Sequence, residues 1–125
     1  MYMAIRLDIL SNSFSVFKVN DLDELNEDIH NGEFYSVTVS HNEISVICEG
    51  KYAPPNNLNA WRFLKYSGSL DDGVIGVVAS ITQPLANAGI SVFVNTTYEH
   101  GYFGVLQKDL ALTIQTLKGV GVTVE

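Results

Sequence analysis

The first half of the chain contains three stretches rich in β-branched and aromatic residues. The stretches Phe14–Val19, Phe34–Ser40 and Glu43–Glu49 read as strands, and the second and third place apolar side chains at alternate positions. His41 and Asn42 separate these two as a plausible turn. We therefore expect a strand followed later by an antiparallel hairpin.

A short helix is predicted between the first two strands. Asp21 and Glu24 stand three residues apart, as in a capping box, and Asn31-Gly32 supplies residues typical of a helix end. The apolar residues between them recur at helical spacing: Leu22, Leu25 and Ile29. The first half thus follows the order β-α-β-β.

A connector of residues Gly50–Asn59 follows, because its prolines disfavour both helix and central strand. Trp61–Tyr66 then reads as a strand. Apolar residues spaced by three and four predict an amphipathic helix after it: Val74, Val77, Val78, Ile81, Leu85 and Ala88. Pro84 lacks an N–H, so we expect a kink or break there, and Ala88-Gly89 should end the helix.

The remaining elements complete a β-α-β-β-α-β order. Ile90–Asn95 and Tyr102–Leu106 read as strands, a helix with one apolar face follows and stops at Gly119, and Val120–Val124 is a last short strand. This order predicts an α+β, ferredoxin-like fold. The first half of the chain shares only the initial β-α-β-β part of this order. We therefore expect a tandem repeat, with an incomplete first unit in residues 1–59 and a second unit in residues 60–125. The β-favouring stretch Tyr2–Leu10 is a candidate for the strand that the first unit lacks.

Composition narrows the class of protein. The 125 residues are 46% hydrophobic and carry a formal net charge of −7, which disfavours nucleic acid and anionic lipid as partners. No apolar run approaches the length of a membrane helix. Met1–Leu10 does not resemble a secretory signal, so we expect a cytoplasmic protein. Cys48 is the single cysteine and fits a buried strand position.

Catalytic chemistry finds little support in the sequence. The three histidines have no second ligand at metal-binding spacing, and no nucleophile-elbow serine or phosphate-binding loop is present. Asp71-Asp72 could act in acid–base chemistry, but capping of the following helix is favoured. We expect no catalytic residue, no metal site and no cofactor.

The corner from Leu70 to Gly76 is the more informative stretch. Its two glycines allow close backbone approach, and the N–H groups at a helix start suit a carboxylate. Asp71, Asp72 or Asn95 could hold an ammonium group. Together these groups would suit an α-amino acid, although simple tight packing explains the same glycines.

The second half resembles the ACT domain. The resemblance lies in Gly68–Asp71, Gly76–Ala79, Pro84–Phe93 and Asn95–Tyr98, with Pro84–Phe93 as its most specific part. The chain as a whole is similar to small stand-alone tandem ACT proteins, whose first half carries runs similar to 34–39 and 43–49, followed by a strand similar to 61–63.

This resemblance implies regulation through amino-acid binding, usually at an interface between ACT units. It assigns ligand contacts to the first strand-to-helix loop and the strand that follows the helix: Leu70, Asp71, Gly73, Val74, Ile75, Ser91, Val92, Phe93 and Asn95. Two features depart from the family pattern, namely the hairpin tip Tyr98–Tyr102 and Gly73 in place of a bulkier polar residue.

Three hypotheses follow for the function. The first is a non-catalytic regulator that binds an amino acid or similar small molecule, within the chain or across a homodimer. The second is a ligand-independent dimerisation module that uses exposed sheet edges and the apolar strand Ile90–Val94. The third, an enzyme using Asp71, Asp72 or His100, has no substrate suggested by the sequence.

Overall fold

The computed structural model describes residues 5–68 and 74–125, with the side chains of residues 74 and 75 excepted. The chain divides into two compact units. The larger comprises Met1–Leu10 and Arg62–Glu125, and the smaller comprises Ser11–Trp61. We call them the C-terminal unit and the N-terminal unit.

Strands and helices are numbered in chain order. The strands are β1 (Arg6–Ile9), β2 (Phe14–Val19), β3 (Ser36–Ser40), β4 (Glu43–Glu49), β5 (Trp61–Tyr66), β6 (Phe93–Thr96), β7 (Gly101–Leu106) and β8 (Thr123–Val124). The helices are α1 (Val74–Asn87) and α2 (Leu110–Gly119), and one-turn 3-10 segments lie at Leu22–Glu24, Ile29–Asn31, Gly50–Tyr52 and Gln107–Asp109.

The C-terminal unit has the strand order β6-β7-β5-β1-β8. The β6–β7 and β1–β5 pairs are antiparallel, and β1 runs parallel to β8. One face of this sheet packs against the apolar sides of both helices, because alternate strand residues and every third or fourth helix residue are apolar. The buried residues of this core include Leu7, Leu64, Phe103, Val105, Val77, Ile81, Leu85 and Leu117.

Strand β1 lies between β5 and β8. Leu7 pairs with Tyr66 on one side and with Val124 on the other, and its side chain is fully buried. The expectation that the stretch Tyr2–Leu10 completes the N-terminal unit was therefore wrong. Strand propensity identified the strand, but propensity carries no information about its partners.

The sequence predicted a kink or a break at Pro84, and helix α1 continues through this residue without a break. Its end is a Schellman motif: the Ile90 N–H donates to the Leu85 carbonyl at 2.9 Å and the Gly89 N–H to the Ala86 carbonyl at 3.0 Å. Gly89 has a φ of +77°, which an L side chain rarely adopts. The predicted helix end at Ala88-Gly89 is confirmed.

Helix α2 ends at Gly119, as predicted, but a later glycine makes the turn. The Val122 N–H donates to the Leu117 carbonyl at 3.0 Å and the Gly121 N–H to the Lys118 carbonyl at 3.1 Å. Gly121 has a φ of +90°. The conformational role assigned to Gly119 thus belongs to Gly121.

The N-terminal unit is built from β2, β4 and β3 in that spatial order. Both pairs are antiparallel, and Ser40 and Glu43 pair across the two-residue turn predicted at residues 41 and 42. A small core on one face contains Ile29, Val46 and Cys48. The buried strand position predicted for Cys48 is confirmed.

The helix predicted after Asp21 is absent. The capping box forms, since the Asp21 carboxylate accepts the Asp23 N–H and the Glu24 carboxylate accepts the Asp21 N–H. The helix nevertheless stops after one 3-10 turn. The Asn26 side chain accepts the Asp28 N–H at 2.8 Å, and this local bond competes with a helical path.

The α+β, ferredoxin-like prediction with an incomplete first unit is confirmed. The C-terminal unit carries both α-helices found within the described residues, and the N-terminal unit has only 3-10 turns. Neither of these helices is long and apolar enough to cross a bilayer.

Candidate functional site

The candidate ligand loop falls largely outside the described residues. Leu70, Asp71 and Gly73 lie there, as does the predicted cap at Asp71-Asp72. Val74 and Ile75 are the first two residues of α1, and their side chains are likewise outside the described part. Their contribution to a site stays a prediction.

The candidates near β6 divide between the two faces of the sheet. Val92 packs against the helix-side core, whereas Ser91 is exposed. Phe93 and Asn95 are alternate residues of β6 and share a face. Because Val94 pairs with Phe103 of the helix-side core, Phe93 and Asn95 lie on the face opposite the helices.

The helix end positions this strand. The Gly89 turn places Ile90 back against Leu85, and both side chains are buried in the core. The chain therefore leaves α1 in a fixed direction and enters β6 two residues after Ser91. This local geometry follows from the Ala88-Gly89-Ile90 sequence. For that reason the sequence alone could predict a strand directly after helix α1.

A polar row crosses three adjacent strands on the face opposite the helices. Asn95 of β6 pairs in register with Tyr102 of β7, and the Lys65 ammonium of β5 lies 5.7 Å from the centre of the Tyr102 ring. Paired residues on one face of a sheet are close neighbours. The row brings together an amide, the phenol of a buried tyrosine and a cation, which are chemical groups of the kind that bind the carboxylate and ammonium of an amino acid.

Sequence reasoning did not identify Tyr102 or Lys65 as candidates. The sequence indication for these two residues was the alternation of side chains along β5 and β7. This alternation assigns each residue to one face of the sheet once the partner strands are known. The order of strands in the sheet was needed to bring them beside Asn95.

Groups suited to catalysis do not converge in the described parts of the chain. These parts contain no group of three or more histidine, cysteine and acidic side chains that could hold a metal ion. The Cys48 thiol is fully buried, and burial together with the neighbouring Glu49 charge raises its pKa to about 11. A thiol in this state is a poor nucleophile near neutral pH.

A shallow polar pocket of about 150 Å³ lies at one end of the N-terminal unit's sheet. The Glu49 side chain is buried, and its Oε2 atom accepts the Glu33 N–H at 2.7 Å. This bond fixes the segment that leads into β3. The pocket is lined by Asn12, Ser13, Glu49, Gly50, Lys51 and Asn59.

Comparison with solved structures supports the fold over nearly the whole chain. Atu0741 of Agobacterium tumefaciens has a TM-score of 0.87 at 25% identity, with 99% of this chain and 94% of that chain covered. The aspartokinase alpha and beta subunits have a TM-score of 0.66 at 14% identity, covering 91% of this chain and 93% of theirs.

The regulatory subunit of aspartate kinase from Thermus thermophilus, in its ligand-free form, has a TM-score of 0.60 at 6% identity. The alignment covers 90% of this chain and 96% of that subunit. No curated protein matches the sequence.

The family comparison agrees with the order of elements in the C-terminal unit. Residues 59–119 match the model of the ACT domain, and this match includes β5, α1, β6, β7 and α2. ACT domains are generally regulatory modules that bind amino acids. The resemblance stated from the sequence is confirmed, because residues 59–119 match the model of the ACT domain.

Proposed function

We propose that the protein is a non-catalytic regulator that binds an amino acid or similar small ligand at an interface between ACT units. The observation that carries the proposal is the polar row of Asn95, Tyr102 and Lys65 beside an edge strand of an ACT domain. Among the described strands β6 pairs only with β7, so its outer edge is available to a neighbouring unit.

The proposed ligand contacts combine the start of α1 with β6. The loop candidates Leu70, Asp71, Gly73, Val74 and Ile75 would receive the ligand's carboxylate, because backbone N–H groups at a helix start favour anions. Asn95 and Ser91 would supply hydrogen bonds from the strand, and Phe93 an apolar contact. Val92 would act indirectly, since its side chain packs into the core.

Regulation would operate through a shift between conformational populations. A ligand that binds one arrangement of the units more tightly favours that arrangement, with no bond made or broken. The structural similarity to a regulatory subunit of aspartate kinase supports this mode of action.

Thermal unfolding against a panel of common amino acids at millimolar concentration tests the proposal. A ligand at 100 times its Kd adds about 2.7 kcal/mol to the free energy of unfolding, which raises the midpoint by several degrees. We expect a shift for one or a few amino acids, and none across the whole panel would contradict the proposal.

Two variants locate the site. Asn95→Ala removes the strand amide and should abolish the shift, whereas Thr96→Ala changes the next, exposed residue of β6 and should leave it intact. A shift that survives Asn95→Ala would exclude Asn95 from the site.

A ligand-independent dimerisation module is the second candidate. Exposed apolar side chains on edge strands favour it: Val94 on β6 is 39% exposed and Val39 on β3 is 61% exposed. An assembly that is unchanged by every amino acid in the panel would support this alternative.

A further inference from the structure

The polar pocket at the end of the N-terminal unit's sheet contains a buried carboxylate in its wall. Glu49 lines the pocket and is only 4% exposed. A glutamate is rarely buried to this extent unless its charge is paired. Among the described residues, the Glu49 carboxylate forms no ion pair and accepts one hydrogen bond, from the Glu33 N–H at 2.7 Å. An ionised carboxylate has about four lone-pair sites, so most of its capacity for hydrogen bonds is left for other partners.

Two walls of the pocket are held in place by the sheet. Asn12 and Ser13 come directly before β2, and Glu49 is the last residue of β4. Phe14 pairs in register with Glu49, and the Gly50 N–H donates to the Ser13 carbonyl at 3.0 Å. The two segments therefore stay joined beyond the last strand pair, at the level of the pocket.

Asn59 lines the pocket from the connector that leads to β5. Its Oδ1 atom lies 2.5 Å from the hydroxyl oxygen of Ser15, which is fully buried and also donates to the Leu58 carbonyl at 3.1 Å. A Cβ atom on Gly50 would overlap the Asn59 amide, so this amide lies directly against the Gly50 backbone. The amide is thus held in one position, and such preorganisation lowers the entropic cost of binding a ligand.

The size and lining of the pocket suit a small polar molecule. Its volume of about 150 Å³ equals that of roughly five water molecules in the liquid. The described side chains around it are two amides, a hydroxyl, a carboxylate and an ammonium, with no apolar group. Glu49 is the single acidic residue among them, which is too few for a divalent metal ion. A primary ammonium group fits better, because its three N–H donors match a carboxylate and neutral oxygen acceptors.

Lys51 places an opposite charge on the same pocket. Its ammonium lies 5.2 Å from the centre of the Tyr52 ring and takes part in no ion pair among the described residues. Glu49 and Lys51 therefore line one pocket without pairing with each other. A ligand with an anionic group in addition to its ammonium would gain a second contact at Lys51.

We propose that this pocket binds a small ligand through a primary ammonium group that is held by the Glu49 carboxylate. The lining residues all belong to the N-terminal unit, Ser11–Trp61, and none of them is a contact of the amino-acid site proposed above. The inference therefore goes beyond that function. Two sources share the chemistry: a simple amine, and an amino acid whose carboxylate reaches Lys51.

Titration of the full chain, followed through its backbone amide NMR signals, tests the proposal. The probes are ethanolamine and free glycine at millimolar concentration and constant ionic strength, and both are small enough for the pocket. We expect at least one of them to give saturable shifts of the Ser13, Gly50 and Lys51 signals. Tetramethylammonium is the matched control ligand, because it carries the same charge but has no N–H donor, and it should give none.

The same titration separates this site from the amino-acid site. The signals of Asn95 and Tyr102 report on the polar row of the C-terminal unit, whereas those of Ser13, Gly50 and Lys51 report on the pocket. A failure at one site is therefore distinguishable from a failure at the other.

Glu49→Gln removes the charge but keeps an oxygen that can accept the Glu33 N–H, and it should abolish the saturable shifts. Glu43→Gln changes an exposed glutamate of the same strand and should leave them intact. Circular dichroism and thermal unfolding check that both variants are folded. Asn12→Ala, at an exposed residue of the lining, is a second test that does not disturb the core, and it should weaken binding.

Lys51→Ala distinguishes the two sources of the ammonium group. For an amino acid, loss of the Lys51 contact should weaken the binding of glycine by about two- to fivefold, the effect of an exposed ion pair, and leave ethanolamine unchanged. Equal binding of both probes before and after the substitution would identify a simple amine. The proposal is overturned if neither probe gives saturable shifts, if tetramethylammonium gives equal ones, or if binding survives Glu49→Gln.

Discussion

The Phe63 ring occupies the space above Gly104 on the neighbouring strand. A Cβ atom placed on Gly104 would lie 2.6 Å from two carbons of this ring. Gly104 of β7 also pairs in register with Phe93 of β6, so it is central to the sheet beside the candidate site. The absence of a side chain at Gly104 is therefore what lets the Phe63 ring occupy this space.

Gly104→Ala should destabilise the C-terminal unit. The added methyl group would displace the fully buried Phe63 ring, and overpacking of a core costs about 1–3 kcal/mol. Urea or thermal unfolding measures this loss. Gly76→Ala is the matched control: a Cβ there meets nothing within 4 Å, and alanine should stabilise helix α1. A neutral Gly104→Ala variant would show that the ring moves aside without cost.

Leu7→Ala in β1 should destabilise the C-terminal unit. Leu7 is fully buried between β5 and β8, and truncation of a core leucine costs about 2–5 kcal/mol. Asp8→Ala removes only an exposed ion pair with Arg6 and should leave the free energy of unfolding nearly unchanged, because exposed ion pairs contribute little to stability.

Strand β1 also provides a test of the predicted boundary between the two units after residue 59. A fragment of residues 60–125 lacks β1, so we expect it to unfold at a lower temperature than the full chain. A fragment as stable as the full chain would mean that β1 contributes little to the unit.

Glycine substitutions at the end of α2 should have opposite effects. Gly121→Ala forces an L side chain into a φ of +90° and should cost about 1 kcal/mol or more. Gly119→Ala lies at the helix end, where a Cβ meets nothing within 4 Å, and should be neutral or stabilising. Thermal unfolding of the two variants measures the contrast, and equal effects would contradict the assignment of the turn to Gly121.

Cys48 should make the protein less stable at alkaline pH. The unfolded thiol ionises near pH 8.5, whereas in the folded protein burial raises its pKa to about 11. The folded state thus favours the neutral thiol. Its contribution is fully present below the unfolded pKa and is lost as the pH rises from about 8.5 through 11.

The comparison with Cys48→Ala isolates this effect from other titrating groups. The difference in unfolding free energy between wild type and variant should shrink across that pH range. Native Cys48 should also react slowly with iodoacetamide at neutral pH. Rapid alkylation of the folded protein would contradict the burial of the thiol.

The local sequence signals succeeded where the deciding contacts are close along the chain. The α1 end at Ala88-Gly89 and the capping box of Asp21 and Glu24 both formed as predicted. The helix expected after Asp21 did not form, because a capping box supplies only the first turn. After this turn the Asn26 side chain accepts the Asp28 N–H, and this local bond competes with a helical path.

The sequence by itself determined the order of elements from Trp61 to Val124, the buried position of Cys48 and the resemblance to the ACT domain, since each depends on local periodicity or on a contiguous motif. Tertiary structure decided that β1 joins the C-terminal unit between β5 and β8, and that Lys65, Tyr102 and Asn95 form one row. The physical reason is that strand pairing depends on contacts between distant segments, whereas propensity describes only how each segment fits a sheet.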